Sequence, residues 1–517
     1  MEDLEMKTGD LPAVRIGMIQ EAEQITFKCT SDFKAKTLDG ETLFVGEKDR
    51  EYKATVANSA PAQIDYCVRM AIVAEKDEAE KLQRELQSKN IDSVLWHPGI
   101  VLELGDTTID NREYWVVSKG YASKNEAEKF AQDYQHIGQT LVVKEIVEEA
   151  QGEIALEGNK ITEALRIEPQ QDEAFLFLKD VTVGIEFHWQ HKRTQKLPGV
   201  LEIDINHQGK LAAINELDIE TYLVSVNSSE MTFENPIELL KAQTIAARST
   251  ILATMGKHHY EEKFHLCSDD HCQCYHGVEN ISDASVEAAR LTCGENLLYH
   301  DRVCDARYAK ICGGVMEGFN YVWDDREIPY LVPGTDGKEE LDYPLDNGEK
   351  VKEYIDSHPD VFCNTEKYKI TSSLPYNTTE LFRWKVSYDK KELENIIREK
   401  LRDDIGELID LIPGERGASG RLVYLDIVGS KKNVRIGKEL AIRRALSKSH
   451  LYSACFYITR DLNQTGKIET FHLHGAGWGH GVGLCQVGAT VMAQLGYNYK
   501  EILSHYYKES SLKKLYS

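Results

Sequence analysis

Residues 11–57 alternate apolar and polar positions between turn residues, as in VRIGMI, QITFKC and ETLFVGE. A period of two marks half-buried strands, so the pattern predicts a small β region over residues 1–60. From about residue 62 the period changes. DYCVRMAIV, AEKDEAEKLQRELQSKN and SVLWH read as strand, charged helix and strand, and REYWVVSKGY, SKNEAEKFAQDYQH and TLVVKEIV repeat that order. Both helix segments contain EAEK, which predicts a duplicated βαβ unit of about 85 residues forming a domain at 61–150. Further strands follow in FLFLKDVTVGIEFHW and GVLEIDINHQGKLAAINEL.

Asn235-Pro236 with Glu238 is a helix-start signature, with Asn235 as N-cap, Pro236 at the first position and Glu238 reaching back as in a capping box. Leu240, Ala247, Ile251 and Met255 then fall on one stripe suited to burial. Lys241 and Arg248 share another stripe, and Gln243 points roughly away from them. Glu230 precedes this helix among Ser228, Ser229 and Met231, in what reads as an approach loop able to aim an acid into a cleft.

The 517 residues are enough for about three folding units. A formal charge of -24 argues against a polyanion such as nucleic acid as the main partner. No run of eighteen apolar residues occurs, and residues 1–25 lack a basic start followed by an apolar stretch, so neither a membrane span nor a signal peptide is expected.

Five of the 11 cysteines lie between Cys267 and Cys304, interleaved with histidines, which favours metal over a disulfide scaffold. Cys267, His271 and Cys272, with His258, His259, His265, Cys274 and His276 nearby, offer more than the four ligands of a tetrahedral zinc. Free cysteines or a short-range disulfide is the alternative. From Gly475 to Gly483 glycine occupies every second position, which lets a backbone or a ligand approach closely. Trp478 offers a flat face to a sugar ring and His480 a hydrogen-bonding edge. Packing of a turn is the other reading, and no nucleotide-binding βαβ unit surrounds these glycines.

YLVSVNSSEM, the NP start and LLKAQTIAARS together resemble the SpoIID/LytB family of sporulation and cell-wall proteins. The resemblance continues through residues 287–333, where Tyr308, Gly313, Gly314 and Trp323 fit its pattern, and through HLHGAGWGHGVGLCQVGATVMAQLGYNYKEILSHYY. It covers about 160–510, with an acidic, irregular stretch near 336–380 read as an insertion or long loop. YWVVSKGYASKNEAEKF resembles the SPOR family of peptidoglycan-binding domains, whose sheet face binds glycan strands stripped of their peptide stems.

The implied fold is a multidomain α+β protein: a small N-terminal β unit, a ferredoxin-like βαββαβ SPOR-type domain, and a mixed α/β SpoIID-type catalytic domain over 160–517. The implied activity is lytic transglycosylation of peptidoglycan glycan strands in the cell envelope. Glu230 is then the catalytic acid/base, and Lys241, Gln243, Arg248, Tyr308, Trp478 and His480 are substrate-side residues. A single carboxyl group suffices, because the 6-hydroxyl of the same N-acetylmuramic acid is the nucleophile and no water need be positioned. Partial burial beside Met231 and Phe233 would suit such an acid. A structural zinc is implied on Cys267, His271, Cys272 and either His258 or His259. A noncatalytic glycan binder that recruits or stimulates a cell-wall amidase, and a zinc hydrolase of stem peptides, are the competing readings.

Overall fold

The structure is a computed structural model and describes residues 11–104, 107–134, 140–185, 189–231, 235–269, 271–370 and 381–517. The alternating strands at the start do not fold by themselves. Ala13–Ala22 pairs antiparallel with Leu211–Asp218, and Gln24–Cys29 lies between Glu51–Ala60 and Leu176–Val183. The expected separate β region at 1–60 is therefore corrected. Each of its strands has one apolar face, and those faces are buried only when two sheets close on each other.

A seven-stranded sheet and a six-stranded sheet share the early strands with strands from residues 151–218. Phe27, Phe33, Tyr52, Ile167, Leu178 and Ile203 join in one core between them. Phe33 and Tyr52 meet edge to face with ring centroids 5.0 Å apart.

The 61–150 unit is inserted into this sandwich, since Glu51–Ala60 and Gln151–Leu156 are hydrogen-bonded neighbours with Ala60 opposite Gln151. Its sheet runs in the order Leu141–Glu148, Gln63–Val73, Tyr114–Tyr121, Ser93–Trp96, antiparallel throughout. Helices Lys76–Ser88 and Lys124–Asp133 cover one face. The repeated EAEK places Ala79 and Ala127 at equivalent points, and both are fully buried.

The opposite face, with Cys67, Trp115, Val117 and Val143, turns toward Tyr260. The Tyr260 hydroxyl accepts from the Lys144 N–H at 2.8 Å and donates to the Lys144 carbonyl at 3.0 Å. Asn111 Nδ2 donates to the carbonyls of Leu252 and Met255, satisfying the end of the long helix Ile237–Thr254 from outside.

That helix begins one residue later than the sequence signature indicates. Pro236, not Asn235, is at the cap position, and no side chain caps it. The Glu238 carboxylate is committed to Lys241 Nζ at 2.7 Å and the Tyr499 N–H at 2.8 Å, so no capping box forms. The expected single apolar stripe is also corrected, because 15 of the 18 residues are buried. Leu240, Ala242 and Ile245 enter a second core with Val482, Leu484 and Val487, while Ala247, Ile251 and Met255 enter the sandwich core. A helix buried on all sides separates two cores.

A third core, from Trp384 to Leu473, holds a pair of three-stranded sheets and two helices. The 336–380 stretch is not a plain loop. It contains helix Gly348–Ser357, whose first N–H groups bond to the Asn347 side chain. Residues 371–380 lie outside the described residues. No helix among the described residues is long and apolar enough to cross a membrane.

Candidate active site

Helix Ile219–Glu230 starts where the Asp218 side chain accepts the Thr221 N–H at 2.9 Å. Glu230 is its last residue. The expected approach loop is thus a helix end, reached because Tyr222, Leu223 and Val226 pack into the sandwich core and carry the helix through Ser228 and Ser229. Lys310 Nζ donates to the Glu230 carbonyl at 2.9 Å and lies 3.5 Å from its carboxylate Oε2. A cation at a helix C-terminus also complements the dipole. The Glu230 side chain keeps 15% of its surface accessible and Lys310 17%.

Burial pushes the Tyr308 hydroxyl well up, and the Glu230 charge adds to that shift. Burial pulls His276 down, next to the same carboxylate and Arg193. Of the two residues expected to bury the acid, Met231 is 2% exposed. Phe233 lies outside the described residues.

Lys310 was missed by sequence reasoning. It stands two residues after Tyr308 in a segment singled out only for its tyrosine and glycines, and nothing in its spacing points back to Glu230, 80 residues earlier.

The substrate roles expected for Gln243 and Arg248 on the long helix are corrected. Arg248 is 0% exposed, and its guanidinium is taken by both Glu220 oxygens at 2.8 and 2.6 Å and by the Glu295 carbonyl at 2.9 Å. Tyr516 Oη donates to the same Glu220 at 2.7 Å, so this is a scaffold joint between two helices and the chain end. Gln243 is likewise fully buried, and its Oε1 accepts from Gln486 Nε2 at 3.3 Å. Lys241 pairs with Glu238 and lies 5.5 Å from the Tyr499 ring centroid.

The alternating glycines run beside the segment of Tyr308 and Lys310. Tyr308–Ala309 pairs parallel with Leu484–Cys485, and Ile311 bridges Trp478 through two backbone hydrogen bonds of 2.8 and 3.1 Å. Gly477, Gly479, Gly481 and Gly483 all have positive φ, which explains the two-residue period. At Gly481 a Cβ would fall 2.5 Å from the buried Arg421 guanidinium, whose Nε and Nη2 donate to the Gly479 carbonyl.

His480 does not present a free edge. Its Nδ1 accepts from the Val482 N–H at 3.0 Å, and its ring lies 4.8 Å from that of Trp323. Burial, then Arg307, Arg421 and Arg443, push it down to about 3.

Trp323 and Arg307 belong to a cavity of about 970 Å³ that Trp115 and Arg69 of the inserted unit also line. Arg69 lies 4.7 Å from the Trp115 ring centroid. Glu230 is not among the lining residues, so this cavity and the acid are separate features.

Of the expected metal ligands, Cys267, His271 and Cys272 converge, and the fourth is His259. All four donor atoms lie within 4.8 Å of one another. Cys272 Sγ is 3.3 Å from His259 Nε2 and 3.7 Å from His271 Nδ1. His258 is corrected, because its Nε2 faces Arg307 Nη2 at 3.2 Å. Hydrogen bonds from Cys272, His259 and His271 hold the Cys267 thiol well down. None of the cysteines is in a disulfide.

Residues 207–299 match the family described as Stage II sporulation protein (SpoIID), and residues 317–483 match a domain of unknown function, DUF8618. The chain carries a SpoIID-family domain. It is 29% identical over 303 residues to an uncharacterized protein of Brachyspira hyodysenteriae, covering 59% of this chain and 68% of that one. It is 24% identical over 301 residues to Stage II sporulation protein D of Bacillus subtilis, covering 58% of this chain and 76% of that protein. The same identity over 296 residues relates it to the amidase enhancer of Bacillus subtilis, of which the chain spans 40%.

The SpoIID match holds Glu230, the Arg248–Glu220 joint and the His/Cys cluster, whereas Tyr308, Lys310 and Cys485 lie outside both matched segments.

Proposed function

We propose that this chain cleaves the glycan strands of peptidoglycan by lytic transglycosylation, with Glu230 as the general acid and then base. The observation that carries the reading is the position of Glu230 at an accessible helix end beside Lys310, within the SpoIID match. Glu230 protonates the leaving glycosidic oxygen and then accepts the proton of the attacking 6-hydroxyl, which forms the 1,6-anhydro ring. Lys310 fixes the helix end from which the acid projects. Supporting the wall as the site of action are the sporulation names of the relatives, and an extracytoplasmic location follows from that reading.

The strand order of the inserted unit, fourth-first-third-second, supports a ferredoxin-like SPOR-type fold. On this reading the cavity that Arg69 of its sheet face lines holds a sugar chain by hydrogen bonding.

The His259, Cys267, His271 and Cys272 donors fit zinc. A tetrahedron with bonds of ~2.0 and ~2.3 Å has N···S edges of roughly 3.6 Å, close to the 3.3 and 3.7 Å observed. Four protein ligands close the shell, so the ion pins the segment after the long helix and supplies no open position.

The relative named amidase enhancer favours a second reading, in which the chain binds glycan and stimulates an amidase. Purified full chain incubated with peptide-stripped glycan separates them. Release of 1,6-anhydro ends by the wild type, and its loss in Glu230→Gln with the circular dichroism spectrum unchanged, supports the enzyme. Binding without product, or equal product from both proteins, overturns it.

A further inference from the structure

We propose that Cys312, Cys363, Cys485 and Asp336 form a second zinc site, wholly buried, that ties residues 336–363 to the segment carrying Lys310. The inference stands independently of the reaction and of the His/Cys site. Its four donor atoms lie within 4.8 Å of one another. All four residues are at most 2% exposed.

The spacing is that of a coordination shell. A tetrahedron with metal–sulfur bonds of ~2.3 Å has S···S edges of ~3.8 Å and S···O edges of roughly 3.5 Å. Cys312 Sγ lies 3.7 Å from Cys363 Sγ and 3.3 Å from Asp336 Oδ2. Neither distance is a covalent bond. Soft thiolates with one carboxylate in a closed tetrahedron select zinc over harder cations.

The surroundings are built for negative charge on these atoms. Backbone N–H groups of Cys312 and Gly488 point at Cys485 Sγ, that of Gly314 at Cys312 Sγ, and that of Cys363 at Asp336 Oδ2, all within 3.2 to 3.4 Å. Cys485 also caps helix Gln486–Gln494, whose N-terminal dipole favours a thiolate. Tyr506 Oη donates to the other Asp336 oxygen at 2.7 Å, the orienting bond that ligating carboxylates receive.

Three buried cysteines alone would pass as small apolar side chains. The carboxylate among them excludes that account, because among the described residues no lysine or arginine pairs with Asp336. Its basic neighbour is His505, whose Nε2 lies 4.0 Å away. A buried carboxylate without a counter-charge is costly, and a divalent cation supplies that charge.

The site also explains close packing. Cys312 precedes Gly313 and Gly314, both at positive φ, and this turn aims the Gly314 N–H back at Cys312 Sγ. At Gly488 a Cβ would fall 2.4 Å from Asp336 Oδ1.

The test is metal analysis of the full chain purified without chelator, for the wild type, Cys363→Ser and Cys272→Ser, with X-ray absorption at the zinc edge. The expected result is two equivalents of zinc in the wild type and one in each variant. The zinc left in Cys272→Ser should show three sulfur neighbours and one oxygen. One equivalent lost in Cys363→Ser and kept in Cys272→Ser supports this site and removes the His/Cys one. Zinc content unchanged in folded Cys363→Ser overturns the proposal. A Cys312–Cys363 disulfide in the isolated protein, or iron in place of zinc, also overturns it. The absorption measurement on Cys272→Ser leaves the four ligands untouched, so a zinc-free protein or a shell of two sulfurs and two nitrogens there overturns the site even where Cys363→Ser does not fold.

Discussion

Helix Ile219–Glu230 carries a glutamate near each end, and the two are treated in opposite ways. Glu220 is 1% exposed and receives hydrogen bonds from Arg248, Tyr516 Oη and the Gly294 N–H. The Glu230 side chain stays 15% accessible and, among the described residues, has Lys310 Nζ at 3.5 Å from its carboxylate. A charge bound on every side cannot exchange a proton or meet a ligand without breaking the structure around it. The carboxylate with spare lone pairs is the one free to act, although it looks the weaker in any count of interactions.

The contrast can be broken in four ways, the first being activity. Glu230→Gln is expected to lower release of anhydro-ended glycan by about 10²–10⁴-fold while moving stability by no more than about 0.5 kcal/mol, read by product analysis and urea unfolding. Arg248→Met should reverse that pattern. Stranding Glu220 in the core is expected to cost about 3–5 kcal/mol, seen as a lower urea midpoint. A variant as stable as the wild type would remove the scaffold role.

Lys310→Met sharpens the difference between the two ends. It loses one bond to the Glu230 carbonyl, worth about 0.5–1.5 kcal/mol, and activity should fall by more than that stability change accounts for. Equal loss in Lys310→Met and in an equally destabilised core variant would make Lys310 a cap and nothing more.

The last way concerns pH. His480 is held at about 3 in the folded chain, against about 6.5 unfolded. Below that unfolded value the unfolded chain binds the extra proton, so the contribution is whole above about pH 6.5 and is lost as pH falls toward 3. The slope is at most about 1.4 kcal/mol per pH unit. His480→Asn should flatten urea midpoints between pH 6 and 4 relative to the wild type, and parallel curves would refute the assignment.

Much of the local structure was legible. The EAEK repeat marks two helices whose alanines reach the same core, and the two-residue alternation marks the early strands correctly as strands. What the alternation could not say is which strands pair, and so a β region expected to stand alone became half of a sandwich. In the site, Glu230 and the cysteine–histidine spacing were visible, whereas the choice of His259 over His258 turned on Arg307, which lies 49 residues beyond His258.

Periodicity, caps and clustered ligands are properties of neighbouring residues, and the chain alone determined them here: strand and helix types, the acid before the long helix, and the His/Cys run. The tertiary structure alone decided which charges are consumed. Arg248 meets Glu220 across 28 residues, Lys310 meets Glu230 across 80, and Cys312 meets Cys485 across 173. Those pairings arise only when separate cores close around the long helix, because electrostatic partners are chosen by distance in space and burial, neither of which is encoded in any local spacing.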